Sequence, residues 1–105
     1  MRVFISQPMN GKTQEEINKR REEIIQIIEN RYLNEHIEFV YSVINTEPTE
    51  DVRNVPVWYL GKSIELLATA TLAYFDFGWA TARGCRIEHK ICEEYNIPIF
   101  SFMED

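Results

Sequence analysis

Phe75-Asp76-Phe77-Gly78-Trp79-Ala80-Thr81-Ala82-Arg83-Gly84-Cys85-Arg86-Ile87-Glu88 runs from the end of an apolar segment, through a turn with one glycine, into a helical pattern. The segment before it, Ala70 to Phe75, has the apolar character of a strand buried on both faces. In an α/β protein such a strand–turn–helix junction is where ligands are held. Within the helix, Ile87, Ile91, Cys92 and Tyr95 are expected to form the inward stripe. Glu88 lies three and four residues before Ile91 and Cys92 and shares their side. A carboxylate there needs a partner or a task. Gly84 stands one turn earlier on the same side. Side chains lean toward the helix N-terminus, so Glu88 is expected to lean over a position with no side chain.

The rest of the chain repeats the alternation. Arg2 to Ser6 reads as a first strand, and Gln7 to Lys12 as a loop punctuated by Pro8 and Gly11. Thr13-Gln14-Glu15-Glu16 has the capping-box pattern, and the helix it opens carries Ile17, Arg21, Ile24 and Ile28 at helical spacing, ending near Arg31 or Tyr32. Ile37 to Val43 is rich in β-branched and aromatic residues and reads as a second strand. A long acidic loop, Asn45 to Val55, follows. Pro56 then suits the first turn of a helix with Val57, Leu60, Ile64 and Leu67 on its inner face. Trp58 and Tyr59 point elsewhere, and two exposed aromatics side by side mark a subunit interface more often than a ligand contact, with both readings open. Asn96 ends the helix that carries Glu88, and Ile97 to Phe102 is a fourth strand.

This order predicts a three-layer α/β/α domain of the Rossmann or flavodoxin type, with a mostly parallel sheet of about four strands in the order 2-1-3-4. The switch point then falls between the first and third strands. It is bordered by the loops Gln7 to Lys12 and Asp76 to Thr81.

The 105 residues suffice for one domain, 1–105, and a hydrophobic fraction of 45% is ordinary for a globular protein, so a single core is expected. A net charge of −6 without a basic block argues against a nucleic-acid polymer as partner. No apolar run approaches a membrane span, so no membrane partner is expected. Met1 leads into a strand rather than a signal peptide. Cys85 and Cys92, about 10.5 Å apart along one helix, are too far apart to bridge and should be free thiols. The expected location is therefore cytoplasmic. His36 and His89 fall in different elements, and neither a metal nor a cofactor is expected.

Glu88 is the first candidate for chemistry, as nucleophile or base. The helix dipole favours its charge and burial opposes it. Its alternative is an ion pair with Arg83, Arg86 or Lys90 on a solvated face. Asn10-Gly11-Lys12 is read either as an anion-holding loop or as a plain turn and cap, and it lacks Walker spacing. Asp76 is a candidate acid or sugar ligand, or else a residue bonded to its own turn. Trp79 either stacks on a base or covers the end of the sheet. His89, a step round the helix, is expected at the surface. Ser6 shows no triad partners.

Three pieces carry a resemblance. They are Val3-Phe4-Ile5-Ser6-Gln7-Pro8-Met9-Asn10-Gly11, the segment Tyr74 to Trp79, and Ala82-Arg83-Gly84-Cys85-Arg86-Ile87-Glu88-His89. In these pieces and their spacing the chain resembles the nucleoside 2-deoxyribosyltransferase-like superfamily. It is most similar to a small uncharacterised domain family of bacteria and phages within it. The resemblance implies a nucleoside or nucleotide substrate and a homo-oligomer. It also implies that Glu88 attacks the anomeric carbon to give a covalent glycosyl-enzyme. Ser6, Gln7, Asn10, Gly11, Lys12, Gly78, Trp79 and Gly84 are the implied substrate-binding set, with Asp76 beside Glu88 as the second catalytic candidate. The chain departs from the pattern at three places. Phe4 stands where those enzymes have a tyrosine, and Ala70 and Ala82 stand where they have aspartates.

Two other classes of function remain open. One is a non-catalytic module that senses a nucleotide or related metabolite in the same crevice. The other is a structural protein that works as an assembly, with Trp58 and Tyr59 at its interface.

Overall fold

In the structure, a computed structural model that describes residues 1–41 and 46–102, the elements follow the expected order. They are β1 (Arg2–Ser6), α1 (Gln14–Arg31), β2 (Glu38–Tyr41), α2 (Val55–Leu67), β3 (Leu72–Phe75), a short 3-10 turn (Trp79–Thr81), α3 (Arg83–Glu94) and β4 (Ile99–Ser101). All strand pairs are parallel and the sheet order is β2-β1-β3-β4, a flavodoxin-like arrangement. β1 has the expected bounds, β2 starts one residue later than its sequence run, and β3 and β4 are shorter than theirs. β2 ends at Tyr41 within the described residues, whereas the predicted end, Val43, and the start of the acidic loop, Asn45, lie outside them.

The helix signals act as chemistry dictates. Thr13 accepts from the Glu16 N–H at 3.1 Å while Glu16 accepts from the Thr13 N–H at 2.8 Å, so two first-turn donors of α1 are satisfied reciprocally. Asn54 caps α2 by accepting from the Val57 N–H at 3.0 Å. α3 ends in a Schellman motif: Asn96 adopts a left-handed φ of 59°, and the Ile97 N–H reaches the Cys92 carbonyl at 3.0 Å.

Side chains alternate across the central strands and so divide the core in two. Val3 and Ile5 of β1, with Leu72 and Tyr74 of β3, face α1 and pack on Ile24 and Ile28. Phe4, Ala73 and Phe75 face the other way and pack with Leu67 of α2 and Cys92 of α3. β1 and β3 are buried on both faces except at Arg2, whereas β2 and β4 form half-buried edges. The parity extends beyond the strands. Ser6 continues the Phe4 side toward α2 and α3, and Asp76 continues the Tyr74 side toward α1.

Two expected helix faces are corrected. On α2, Val57 is 60% exposed, and the inward residues are Ser63 and Leu67 with Leu60 half-buried. Ser63 holds the inward position between Leu60 and Leu67, which turns Val57 outward. Trp58 and Tyr59 are half-buried and meet edge-to-face at 5.1 Å, so they are not the exposed pair expected. On α3, Ile87 and Tyr95 are exposed, Tyr95 at 76%, and the inward line is Cys85, Glu88 and Cys92. That line holds two thiols and a carboxylate, so aliphatic spacing alone misplaces it. Glu88 faces inward all the same. Among the described residues, no helix is long and apolar enough to cross a membrane.

Candidate functional site

Glu88 lies at the meeting point of three elements. β1 ends at Ser6, whose hydroxyl donates to Glu88 Oε1 at 2.7 Å, and α2 contributes Ser63, whose hydroxyl donates to Oε2 at 2.5 Å. All three residues are buried, with Glu88 6% exposed. No Arg or Lys pairs with Glu88 among the described residues, so the ion-pair alternative is not what holds it. Burial pushes the Glu88 carboxyl above its ordinary value, opposed by the hydrogen bonds from Ser63 and Ser6. The net direction is upward, so desolvation outweighs the two hydroxyls.

The carboxylate borders an open cleft of about 1000 Å³. One wall is largely apolar: Pro8 and Met9 from the loop after β1, and Pro56, Tyr59 and Leu60 from α2. Another wall is formed by Thr81 of the 3-10 turn and by the start of α3, with Arg83, Gly84 and Cys85. Ala82, the N-cap residue, offers no side-chain hydrogen bond. The first-turn N–H groups of α3 therefore belong to residues lining the cleft and are not capped by a side chain, which suits a ligand oxygen or anion. The cleft thus brings together apolar side chains, uncapped backbone donors and a buried carboxylate.

Gly84 is the opening in that wall. A Cβ built there meets nothing within 4 Å, and its φ is not in the left-handed region. Gly84→Ala is expected to leave the fold intact and to raise the unfolding free energy by up to about 1 kcal/mol, because alanine is the better helix former. Urea denaturation checks this. A clear loss of stability would show that the space belongs to packing rather than to the cleft.

The other sequence candidates divide. Gln7 and Asn10 line the cleft, with the Gln7 amide nitrogen donating to the Ile17 carbonyl at 2.9 Å and its Oε1 without a protein partner among the described residues. Gly11 and Lys12 do not line it. Gly11 takes the left-handed corner (φ 80°) of the turn closed by the Lys12 N–H on the Met9 carbonyl at 3.2 Å, and Lys12 lies near Glu16. Gly78 (φ 88°) makes the turn after β3 beneath Pro8. Trp79 stacks flat on His89, 3.8 Å between ring centroids and 6° between planes. Phase by phase round the helix, this turns His89 into the protein: it also meets Phe75 at 4.8 Å, so the expected surface position is corrected to a half-buried one.

Asp76 is not brought to Glu88. It sits on the α1 face, where Arg20 grips it with two bonds, Nε to Oδ2 at 2.9 Å and Nη2 to Oδ1 at 2.7 Å. Phe4 is fully buried in the core on the α2 and α3 side of the sheet. Sequence reasoning missed Ser63, and of the aromatic pair read as an interface or a ligand contact, Tyr59 lines the cleft. The available signal was a lone small hydroxyl, Ser63, spaced three and four residues from Leu60 and Leu67 on one face of α2.

Cys85 and Cys92 are free and buried, and desolvation pushes both thiols up to about 11. Among the described residues no three His, Cys, Asp or Glu side chains gather as a metal site. No family model, curated protein or solved structure matches this chain.

Proposed function

We propose that the chain acts on the N-glycosidic bond of a nucleoside or nucleotide, with Glu88 as the nucleophile. The observation that carries this is a lone carboxylate, buried and held by two hydroxyls, at the edge of an open cleft lined by both apolar and polar residues. In the reaction, a Glu88 oxygen bonds to the anomeric carbon as the carbon–nitrogen bond breaks. The bonding pair leaves with the base, which takes up a proton. Water or a second base then attacks the same carbon, and the ester bond returns its electron pair to Glu88. Ionised Glu88 also stabilises the oxocarbenium-like charge of both transition states.

The departing base needs an acid, and Glu88 is the sole carboxylate among the lining residues described. Tyr59 supplies a phenol from α2, in place of the hydroxyl that Phe4 lacks. A base that is already a good leaving group needs less help.

The same lack of a second carboxylate favours a second reading, a module that binds a nucleotide without consuming it. One panel of deoxynucleosides and their 5′-monophosphates separates the two. The enzyme reading expects free base to be released by the wild type and not by Glu88→Ala. A raised melting temperature with no base released supports the binding module, and a silent panel in both assays counts against both.

A further inference from the structure

We propose that Ser63, together with Ser6, is a positioning residue that clamps the Glu88 carboxylate between α2 and β1 and presents its remaining lone pairs to the cleft. The role rests on Glu88 being the reacting group; the contact itself does not. A serine inside a helix commonly turns its hydroxyl back on the carbonyl four residues earlier. Ser63 instead donates to Glu88 Oε2 at 2.5 Å, across a sequence gap of 25 residues, and is only 3% exposed. Ser6 takes the other oxygen at 2.7 Å. A carboxylate has about four acceptor positions. Two are filled from opposite sides, which stops rotation of the group, and the others stay open.

No charged group competes for this task. On α3, the Cys85 and Cys92 thiols stay neutral, and His89, next in the chain, is stacked on Trp79 and lies 3.6 Å from Glu93. Arg83 and Tyr59 line the cleft without a bond to Glu88 among the described residues, and Asp76 is held by Arg20 on the far face of the sheet. The two hydroxyls are therefore what favours the ionised carboxylate against burial.

The test is a carbon-13 titration of protein labelled at glutamate, with the Glu88 signal assigned by its loss in Glu88→Gln. Ser63→Ala is expected to move the Glu88 midpoint upward. Ser63→Cys, nearly the same shape with a weaker donor, is expected to fall between, and Ser63→Thr restores the wild-type value. Should Ser63→Ala fail to fold, the Cys variant carries the test. A midpoint unmoved in a folded Ala or Cys variant overturns the proposal. The titration needs no substrate, so it stands apart from the base-release panel. Where base is released, Ser63→Ala is expected to lower kcat about tenfold or more, the worth of one hydrogen bond to a charged group, with KM little changed. A moved midpoint without base release keeps the clamp and removes the reaction.

Discussion

Glu88→Gln is expected to abolish base release and at the same time to make the protein more stable at neutral pH. Removing the nucleophile should cost at least about a thousandfold in turnover. Stability moves the other way because of where the charge sits. Burial raises the carboxyl of Glu88 above its ordinary value, so the folded protein holds that proton more tightly than the unfolded chain does. Between the two midpoints the folded state binds more protons, and stability falls as pH rises. The penalty is absent below about pH 4.5, grows through the folded midpoint, and is complete above it. Glutamine keeps the shape, accepts from one serine and donates to the other, and has no charge to desolvate. Thermal melts of both proteins from pH 4 to pH 8 should therefore nearly coincide at the acid end and separate as pH rises, with the variant above. A variant that is less stable at every pH would falsify the view that desolvation outweighs the two hydroxyls. A residue that costs stability where it stands, on a face otherwise packed with thiols and aromatics, is easier to understand as a working group than as a structural one.

Much of this layout can be read from particular residues, and the misses have particular causes. The capping box at Thr13, the α1 stripe and the αL ending at Asn96 are local signals, each set by a few neighbouring residues, and each takes the form the pattern predicts. Strand order follows from alternation with right-handed crossovers and needs no distant contact. Helix rotation is different. In α2 and α3 the inward positions include Ser63, Cys85 and Glu88, so a face drawn through the aliphatic residues is turned away from the true one. The side on which Asp76 falls was available from strand parity. Tyr74 and Asp76 share one side of β3, and Phe4 and Ser6 face the other side of the sheet from β1, which, with Ser6 bonded to Glu88, separates Asp76 from Glu88. What parity does not supply is the partner, because Arg20 is 56 residues away in sequence. The same holds for Ser63 and Glu88. Chemistry between elements depends on how far each helix is rotated, and that is settled by packing.

Arg20→Ala is expected to produce the largest loss of stability of any substitution considered, without touching the cleft. The Asp76 side chain is 6% exposed and the Arg20 side chain 29%. Two parallel bonds of 2.7 and 2.9 Å satisfy the carboxylate, with the Tyr74 hydroxyl adding a third contact at 3.2 Å. The proximity of Asp76 raises the proton affinity of the Arg20 guanidinium, and burial with the Asp76 charge alongside raises that of the Tyr74 phenol. Arg20 also binds Glu23 at 3.0 Å and lies over the Phe102 ring at 4.9 Å, so its truncation removes packing as well as charge. Alanine leaves Asp76 with the tyrosine alone as a side-chain partner, in a largely buried position. Stranding one member of a buried pair costs about 3 kcal/mol, and in a domain of this size that is a fall of about 12 to 24 °C in melting temperature. Arg20→Lys should lose part of this, since an ammonium keeps the charge but cannot make the two-pronged contact. The decisive comparison is the double variant Arg20→Leu with Asp76→Asn. If the cost lies in the abandoned charge, removing that charge recovers much of the stability. If the double variant is no better than Arg20→Ala, the pair matters through packing instead. Glu88 and its serines lie on the opposite face of the sheet, so the Glu88 titration in Arg20→Ala, measured below its melting temperature, should match that of the wild type. A displaced midpoint would mean that the two faces are coupled through β3, and Asp76 would then belong to the site after all.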